Sequence, residues 1–128
     1  MIDHIGFAVS DLERSKAFYA AVLGKIGLDL VVALTAEQTG GGAHAGFGSG
    51  GKAFFWIGDQ GTPPGRIHVA FPAQSRAAVD AFHAAAMAAG AMDNGAPGLR
   101  PWFHPDYYAA FVLDPDGVNI EAVCREGE

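Results

Sequence analysis

The chain has 128 residues, with 14 acidic and 8 basic side chains and a formal net charge of −6. Half of the residues are apolar and 17% are charged, a balance typical of a single globular domain over residues 1–128. The negative charge argues against nucleic acid as a partner, because polyanion binding requires clustered Lys and Arg. No apolar stretch approaches the roughly 20 residues that span a bilayer, so we expect no membrane partner.

The chain contains a single cysteine, Cys124. One thiol cannot form an internal disulfide, and the first residues do not show a basic segment followed by an apolar one. These two features predict a cytoplasmic location.

The first half begins with a strand pattern over residues 2–9. Ser10 and Glu13 have the spacing of a helix capping box, which predicts a helix that ends near Gly24. Further strand-like runs follow at 28–34, 43–48 and 53–57.

The second half begins in the same way, with a strand predicted over 66–71. Ser75 is the expected N-cap of a second helix, which ends near Gly90. Strand-like runs follow at 107–113 and 118–124, whereas 91–100 is too rich in Gly and Pro to be assigned.

The two halves resemble each other in sequence. An offset of 64 residues superimposes four identical pairs, which are His4/His68, Phe7/Phe71, Ala17/Ala81 and Phe18/Phe82. We interpret this as an internal duplication, so the α+β fold consists of two βαβββ modules, residues 1–60 and 61–128.

Three ionisable residues fall on the strand faces that point away from the predicted helices. Strand alternation places His4, His68 and Glu121 opposite the bulky apolar side chains. Two imidazoles and a carboxylate can hold a divalent ion, whether Zn, Ni, Fe or Mn, and leave positions open for substrate. The alternative is that all three are polar residues on solvated faces.

An aromatic segment at 102–108 follows a stretch rich in glycine. Such a segment can form the wall of a small-molecule pocket, in which His104 or Tyr107 transfers protons and Arg100 pairs with a substrate anion. The alternative is packing at the base of a loop. Other candidate pocket residues are Trp56, Trp102, Tyr108 and His44.

Three segments, 2–12, 66–71 and 111–121, resemble the vicinal oxygen chelate superfamily. This group includes glyoxalase I, bleomycin-resistance proteins, fosfomycin-resistance transferases and extradiol dioxygenases. The resemblance implies paired βαβββ modules in a curled mixed sheet around a central cavity. It also implies that His4, His68 and Glu121 occupy the metal-ligand positions.

The sequence departs from individual members of this superfamily. Glyoxalase I generally has a fourth ligand on the last strand of the first module, where the offset of 64 points to Ile57. It also commonly has a basic residue at the position of Ala8, and extradiol dioxygenases tend to have a Tyr at the position of Phe111. We therefore expect poor turnover of the glutathione hemithioacetal, and Phe111 argues against ring cleavage.

The resemblance suggests a metal-dependent lyase or isomerase that binds the oxygens of a small-molecule substrate. One alternative is a metal-free, drug-sequestering protein, and another is a dioxygenase or thiol transferase of the same superfamily. We expect a homodimer because open sheet edges gain by pairing, and the metal site lies either within one chain or between two.

Overall fold

The computed structural model describes residues 1–127. The first half contains four strands and two helices, which are β1 (Ile5–Ala8), α1 (Leu12–Gly24), β2 (Asp29–Leu34), α2 (Ala36–Thr39), β3 (His44–Ser49) and β4 (Lys52–Gly58). The second half contains β5 (His68–Pro72), α3 (Arg76–Ala88), β6 (Met92–Leu99), β7 (Tyr108–Leu113) and β8 (Asn119–Cys124). None of the helices within residues 1–127 is long and apolar enough to cross a membrane.

Each half folds into one four-stranded mixed sheet. The strand orders are β1-β4-β3-β2 and β5-β8-β7-β6, with β1 parallel to β4 and β5 parallel to β8. The remaining neighbours pair antiparallel. The predicted α+β class with a repeated βαβββ order is therefore confirmed.

One continuous cluster of buried side chains runs through both halves. Alternate residues of each strand point towards the helices, and α1 and α3 pack against each other. The rings of Phe55 and Phe71, one from each half, meet edge to face with centroids 5.2 Å apart. We call the opposite face of each sheet, which carries no helix, its outer face.

The N-cap predicted for α3 is confirmed, whereas the N-cap predicted for α1 is wrong. Ser75 caps α3 by accepting a hydrogen bond from the Ala78 amide. Asp11, not Ser10, caps α1, because the Asp11 carboxylate accepts from the Arg14 amide. The Ser10 hydroxyl instead donates to Asp116 of the second half.

Two elements were not predicted from the sequence. Residues 91–100, for which the sequence pattern provided no assignment, contain β6. This strand tolerates its glycines and Pro97 because it is an edge strand with two register shifts. The short α2 begins at a capping box between Thr35 and Gln38.

Candidate functional site

The outer face of the second half brings together two of the three predicted metal ligands. His68 lies on β5 and Glu121 on β8, and both point away from α3 because their neighbours Val69 and Ile120 fill the core. His68 Nε2 lies 2.8 Å from Glu121 Oε1.

Glu121 is buried although it lies on the outer face, with only 1% of its surface exposed. Its second carboxylate oxygen, Oε2, accepts a hydrogen bond of 2.5 Å from the Tyr107 hydroxyl. Both oxygens therefore have a partner, as a carboxylate removed from water requires.

Tyr107 acts as a hydrogen-bond donor in this arrangement. Burial, together with the hydrogen bond to Glu121, raises the pKa of Tyr107 to about 12. The Arg125 guanidinium lies 4.9 Å from the centre of the Tyr107 ring and counters part of this rise. At neutral pH the hydroxyl is protonated and orients the carboxylate.

The donor atoms of His68 and Glu121 fit a divalent cation. Ligand bonds of about 2.0–2.2 Å at roughly right angles place adjacent donor atoms about 3 Å apart. His68 Nε2 and Glu121 Oε1 are 2.8 Å apart, which is a direct hydrogen-bond distance and also close to the spacing of two ligands at right angles. His68 keeps 48% of its side chain exposed, so a further ligand can approach from solvent.

The third predicted ligand, His4, lies apart from this pair. Within residues 1–127, no three His, Cys, Asp or Glu side chains are close enough together to hold a metal. His4 and His68 line the same cleft of 480 Å³ between β1 and β5, but only His68 contacts Glu121. One chain by itself therefore does not assemble the predicted set of three.

His4 is oriented by a neighbouring carboxylate that strand alternation does not predict. His4 Nδ1 lies 2.8 Å from Asp3 Oδ1, and Asp3 Oδ2 accepts a hydrogen bond from Lys52 Nζ at 2.7 Å. The bonds from Lys52 and from His4 lower the pKa of Asp3. A carboxylate bonded to one ring nitrogen of a histidine leaves the other nitrogen, here Nε2, to bind a metal. The adjacent Asp-His pair in the sequence could have indicated this arrangement.

The position equivalent to Glu121 in the first half is Trp56, which corrects the assignment of Ile57. Gly6 of β1 pairs with Trp56, and its counterpart 64 residues later, Ala70, pairs with Glu121. The offset is thus 65 residues at the last strand, because the second half gains one residue between these strands. Ile57 faces the core and is 1% exposed.

Arg100 and Phe111 lie beside this site. The Arg100 guanidinium donates to the carbonyls of Ala96, Gly98 and Ala109 and lies 5.3 Å from the centre of the Phe111 ring. The Phe111 ring lies 5.9 Å from the His68 ring. Arg100 therefore stabilises the irregular β6, and its positive charge counters part of the rise in the pKa of Tyr107.

The other predicted pocket residues are not gathered around Glu121. His104 is exposed, and its Nδ1 accepts from the Asp106 amide. Trp102 is 72% exposed in the loop between β6 and β7. Tyr108 points towards α3, where its hydroxyl donates to Asp80 at 2.6 Å. Their predicted roles in proton transfer and substrate binding remain predictions.

Comparison with known proteins agrees with this architecture. A model of the Glyoxalase/Bleomycin resistance protein/Dioxygenase superfamily matches residues 1–122. A glyoxalase/bleomycin resistance protein from Albidiferax ferrireducens T118 is 34% identical, with a TM-score of 0.79 over 98% of this chain and 99% of that one. A search of curated proteins gave no significant match.

Two more distant structures share the fold. FosX, a fosfomycin resistance protein from Listeria monocytogenes solved with Mn(II), is 19% identical with a TM-score of 0.70 over 96% of this chain and 90% of that one. Glyoxalase I from Zea mays is also 19% identical, with a TM-score of 0.74 over 99% of this chain and 45% of that one. The chain belongs to the Glyoxalase/Bleomycin resistance protein/Dioxygenase superfamily.

Proposed function

We propose that the protein is a metal-dependent enzyme of the lyase or isomerase type that acts on small molecules through adjacent oxygen atoms. The observation that carries this proposal is the buried Glu121 carboxylate, whose Oε1 faces His68 Nε2 at ligand spacing. A divalent ion, Zn, Ni, Fe or Mn, would stabilise negative charge developing on a substrate oxygen.

His4 of a second copy would complete the ligand set. In a two-fold symmetric dimer, the first half of each chain meets the second half of the other, so two identical sites form together. Three features support this arrangement: His4 is exposed, Asp3 holds its Nδ1, and the edges of β1 and β5 carry no strand partner within residues 1–127.

The remaining side chains have distinct roles in this proposal. Tyr107 positions Glu121 and keeps its own proton, since its pKa lies near 12. His104 is the candidate for proton transfer, because its Nδ1 is engaged by Asp106 and its Nε2 can exchange a proton with substrate. Arg100 contributes positive charge beside Phe111 and Tyr107, where it is the candidate partner of a substrate anion.

Mixing two inactive variants tests both the ligands and the dimer. His4→Ala and His68→Ala should each lose tightly bound metal. Unfolding and refolding them together should restore about a quarter of the wild-type metal content, because half of the dimers are mixed and each mixed dimer has one intact site. The measurement is metal per chain after gel filtration.

Two results would contradict the proposal. If the mixture recovers no metal although both variants refold, the site does not lie between two chains. If neither single variant loses metal relative to the wild type, the imidazoles are not ligands at all.

The glutathione hemithioacetal of methylglyoxal should be a poor substrate. Ala8 provides no positive charge for a glutathione carboxylate, and Trp56 stands where a fourth ligand is expected. We expect turnover below about 1 s⁻¹, the lower end of ordinary enzymes, when product absorbance is followed. Faster turnover would assign the protein as a glyoxalase I.

One observation favours a metal-free binding role as the second candidate. Both oxygens of Glu121 already have protein partners, His68 and Tyr107, so the carboxylate is satisfied without an ion. A wild-type protein that holds no metal, and whose unfolding temperature responds neither to chelator nor to added divalent ions, would favour this role.

A further inference from the structure

On the outer face of the first half, two glycines lie next to the side chain of Trp56. A Cβ atom at Gly46 would lie 3.0 Å from Cη2 and Cζ3 of the Trp56 indole, and one at Gly6 would lie 3.2 Å from the Trp56 Cβ. The indole therefore lies across bare backbone on the neighbouring strand. Phe47, Phe55 and Ile57 fill the opposite face, so the core does not require the indole.

A histidine lies against the same bare surface, further along the strands. A Cβ atom at Gly58 would lie 2.5 Å from His44 Nδ1, so the imidazole also lies across backbone. We name the group of Gly6, Gly46, Gly58, Trp56 and His44 the glycine platform. It borders a cavity of 470 Å³.

His4, a candidate metal ligand, lines the same cavity as the glycine platform. Gly6 pairs with Trp56, and Ala8 pairs with Gly58, which faces His44. Measured along β1, the positions of His4, Trp56 and His44 are thus two residues, or about 7 Å, apart. This spacing suits a molecule with an oxygen-bearing end, a flat ring and a polar tip.

The Asp59 carboxylate, which lies near His44, indicates the chemistry of the polar tip of the bound molecule. The Asp59 carboxylate accepts a hydrogen bond from the Ala43 amide, next to His44, and Gln60 lines the same cavity. A carboxylate at this end disfavours an anionic tip, whereas His44 and Gln60 can bond a neutral hydroxyl.

We propose that the glycine platform binds an aromatic ring of the substrate, stacked on Trp56, with a neutral hydroxyl directed to His44. The inference that the other end of this substrate carries oxygen atoms rests on the proposed function at His4, His68 and Glu121. The inference that the glycine platform binds a ring does not. The half-buried Trp56 indole lies against glycine backbone and borders the cavity, so it provides a flat surface on which a ring stacks with little loss of side-chain entropy.

Two hydroxamates that share a metal-binding group, only one of which carries a ring, test whether the glycine platform binds an aromatic ring. On metal-loaded protein, benzohydroxamate should bind about tenfold more tightly than acetohydroxamate by calorimetry. Trp56→Leu should reduce this ratio to about one. Gly46→Ala should also reduce it, because the new Cβ atom would lie 2.8 Å from the Ala53 Cβ and 3.0 Å from the indole, so that the ring has to shift; it serves as the second variant if Trp56→Leu does not fold.

A third hydroxamate tests the tip. The hydroxyl of 4-hydroxybenzohydroxamate should improve affinity about threefold over benzohydroxamate, and His44→Ala should abolish this gain. If the two aromatic compounds bind equally to the wild type, the role of His44 is overturned. Equal affinity for benzohydroxamate and acetohydroxamate in a metal-loaded wild type would overturn the platform itself.

A metal-free measurement separates this inference from the proposed function. The chain has two tryptophans, so Trp102→Phe leaves Trp56 as the sole indole fluorophore. Benzamide added with chelator should change the Trp56 emission in a saturable way. If the protein binds no metal but this change occurs, the proposed function fails and the glycine platform stands. Without a saturable change, the platform fails whatever the metal content.

Discussion

The outer faces of the two halves have the same strand pairing but opposite chemistry. In the second half, β8 carries the buried Glu121, and Phe111 of the neighbouring strand lies opposite it. In the first half, Trp56 stands at the position of Glu121, and Gly46 stands at the position of Phe111. A carboxylate beside an aromatic ring on one face thus corresponds to an aromatic ring beside a glycine on the other.

This difference shows how a duplicated topology can divide the work of one site. In the proposed site, the second half would supply the anion and the hydroxyl that orients it. The first half would supply His4, whose Nδ1 lies against the Asp3 carboxylate, and the aromatic surface of Trp56. In the proposed dimer, each face meets its complement because the symmetry operation brings unlike halves together.

The largest effect should come from removing the anion of the second half. Glu121→Gln keeps the side-chain shape but removes the charge, so affinity for a divalent ion should fall more than about 100-fold in a competition assay with a chromophoric chelator. Glu126→Gln, on an exposed residue nearby, is the matched control and should bind metal as the wild type does. Equal affinities in the two variants would show that the faces do not differ in the proposed way.

A smaller effect is expected from the hydroxyl that orients this anion. Tyr107→Phe removes the donor to Glu121 Oε2, so metal affinity should fall about 10- to 100-fold, as is usual for partners of ligands. Tyr108→Phe, its neighbour on the helix side, should lower stability through Asp80 without changing metal affinity. The reverse pattern would place Tyr108, rather than Tyr107, at the site.

The junction between the halves should give the smallest effect. The Tyr19 hydroxyl of the first half donates to the buried Asp114 of the second at 2.5 Å, whereas His83, 64 residues after Tyr19, bonds Asp93 within its own half. Tyr19→Phe should lower the free energy of unfolding by about 1.5 kcal/mol. His83→Gln should lower it by less than Tyr19→Phe does, because the Asp93 carboxylate is exposed to solvent.

The effect of Tyr19 should depend on pH in one direction. Burial, followed by the charge of Asp114, raises the pKa of Tyr19 well above 10. In the unfolded chain the hydroxyl ionises near pH 10, so its stabilising contribution is complete below pH 10 and declines as the pH rises further. Denaturant titrations should therefore show the difference between wild type and Tyr19→Phe narrowing above pH 10. A constant difference would mean that folding does not raise the pKa of Tyr19.

Most of the fold was predictable because its signals are local. Alternating apolar residues set the faces of β1, β5 and β8, and Ser75 set the start of α3, since both depend only on neighbours along the chain. The edge strand β6 was not predictable, because its glycines and Pro97 are accommodated only by the register shifts against β7. Ser10 likewise found its partner, Asp116, in the other half.

The sequence by itself determined that His4, His68 and Glu121 lie on outer faces and that the chain is built from two similar modules. Only the tertiary structure decided that Glu121 pairs with His68 and Tyr107, that His4 lies apart, and that Trp56 is the counterpart of Glu121. Side-chain parity repeats every two residues and can be read along one strand. Strand register instead depends on where single residues are inserted, and burial depends on side chains distant in the sequence, so neither can be read from local pattern.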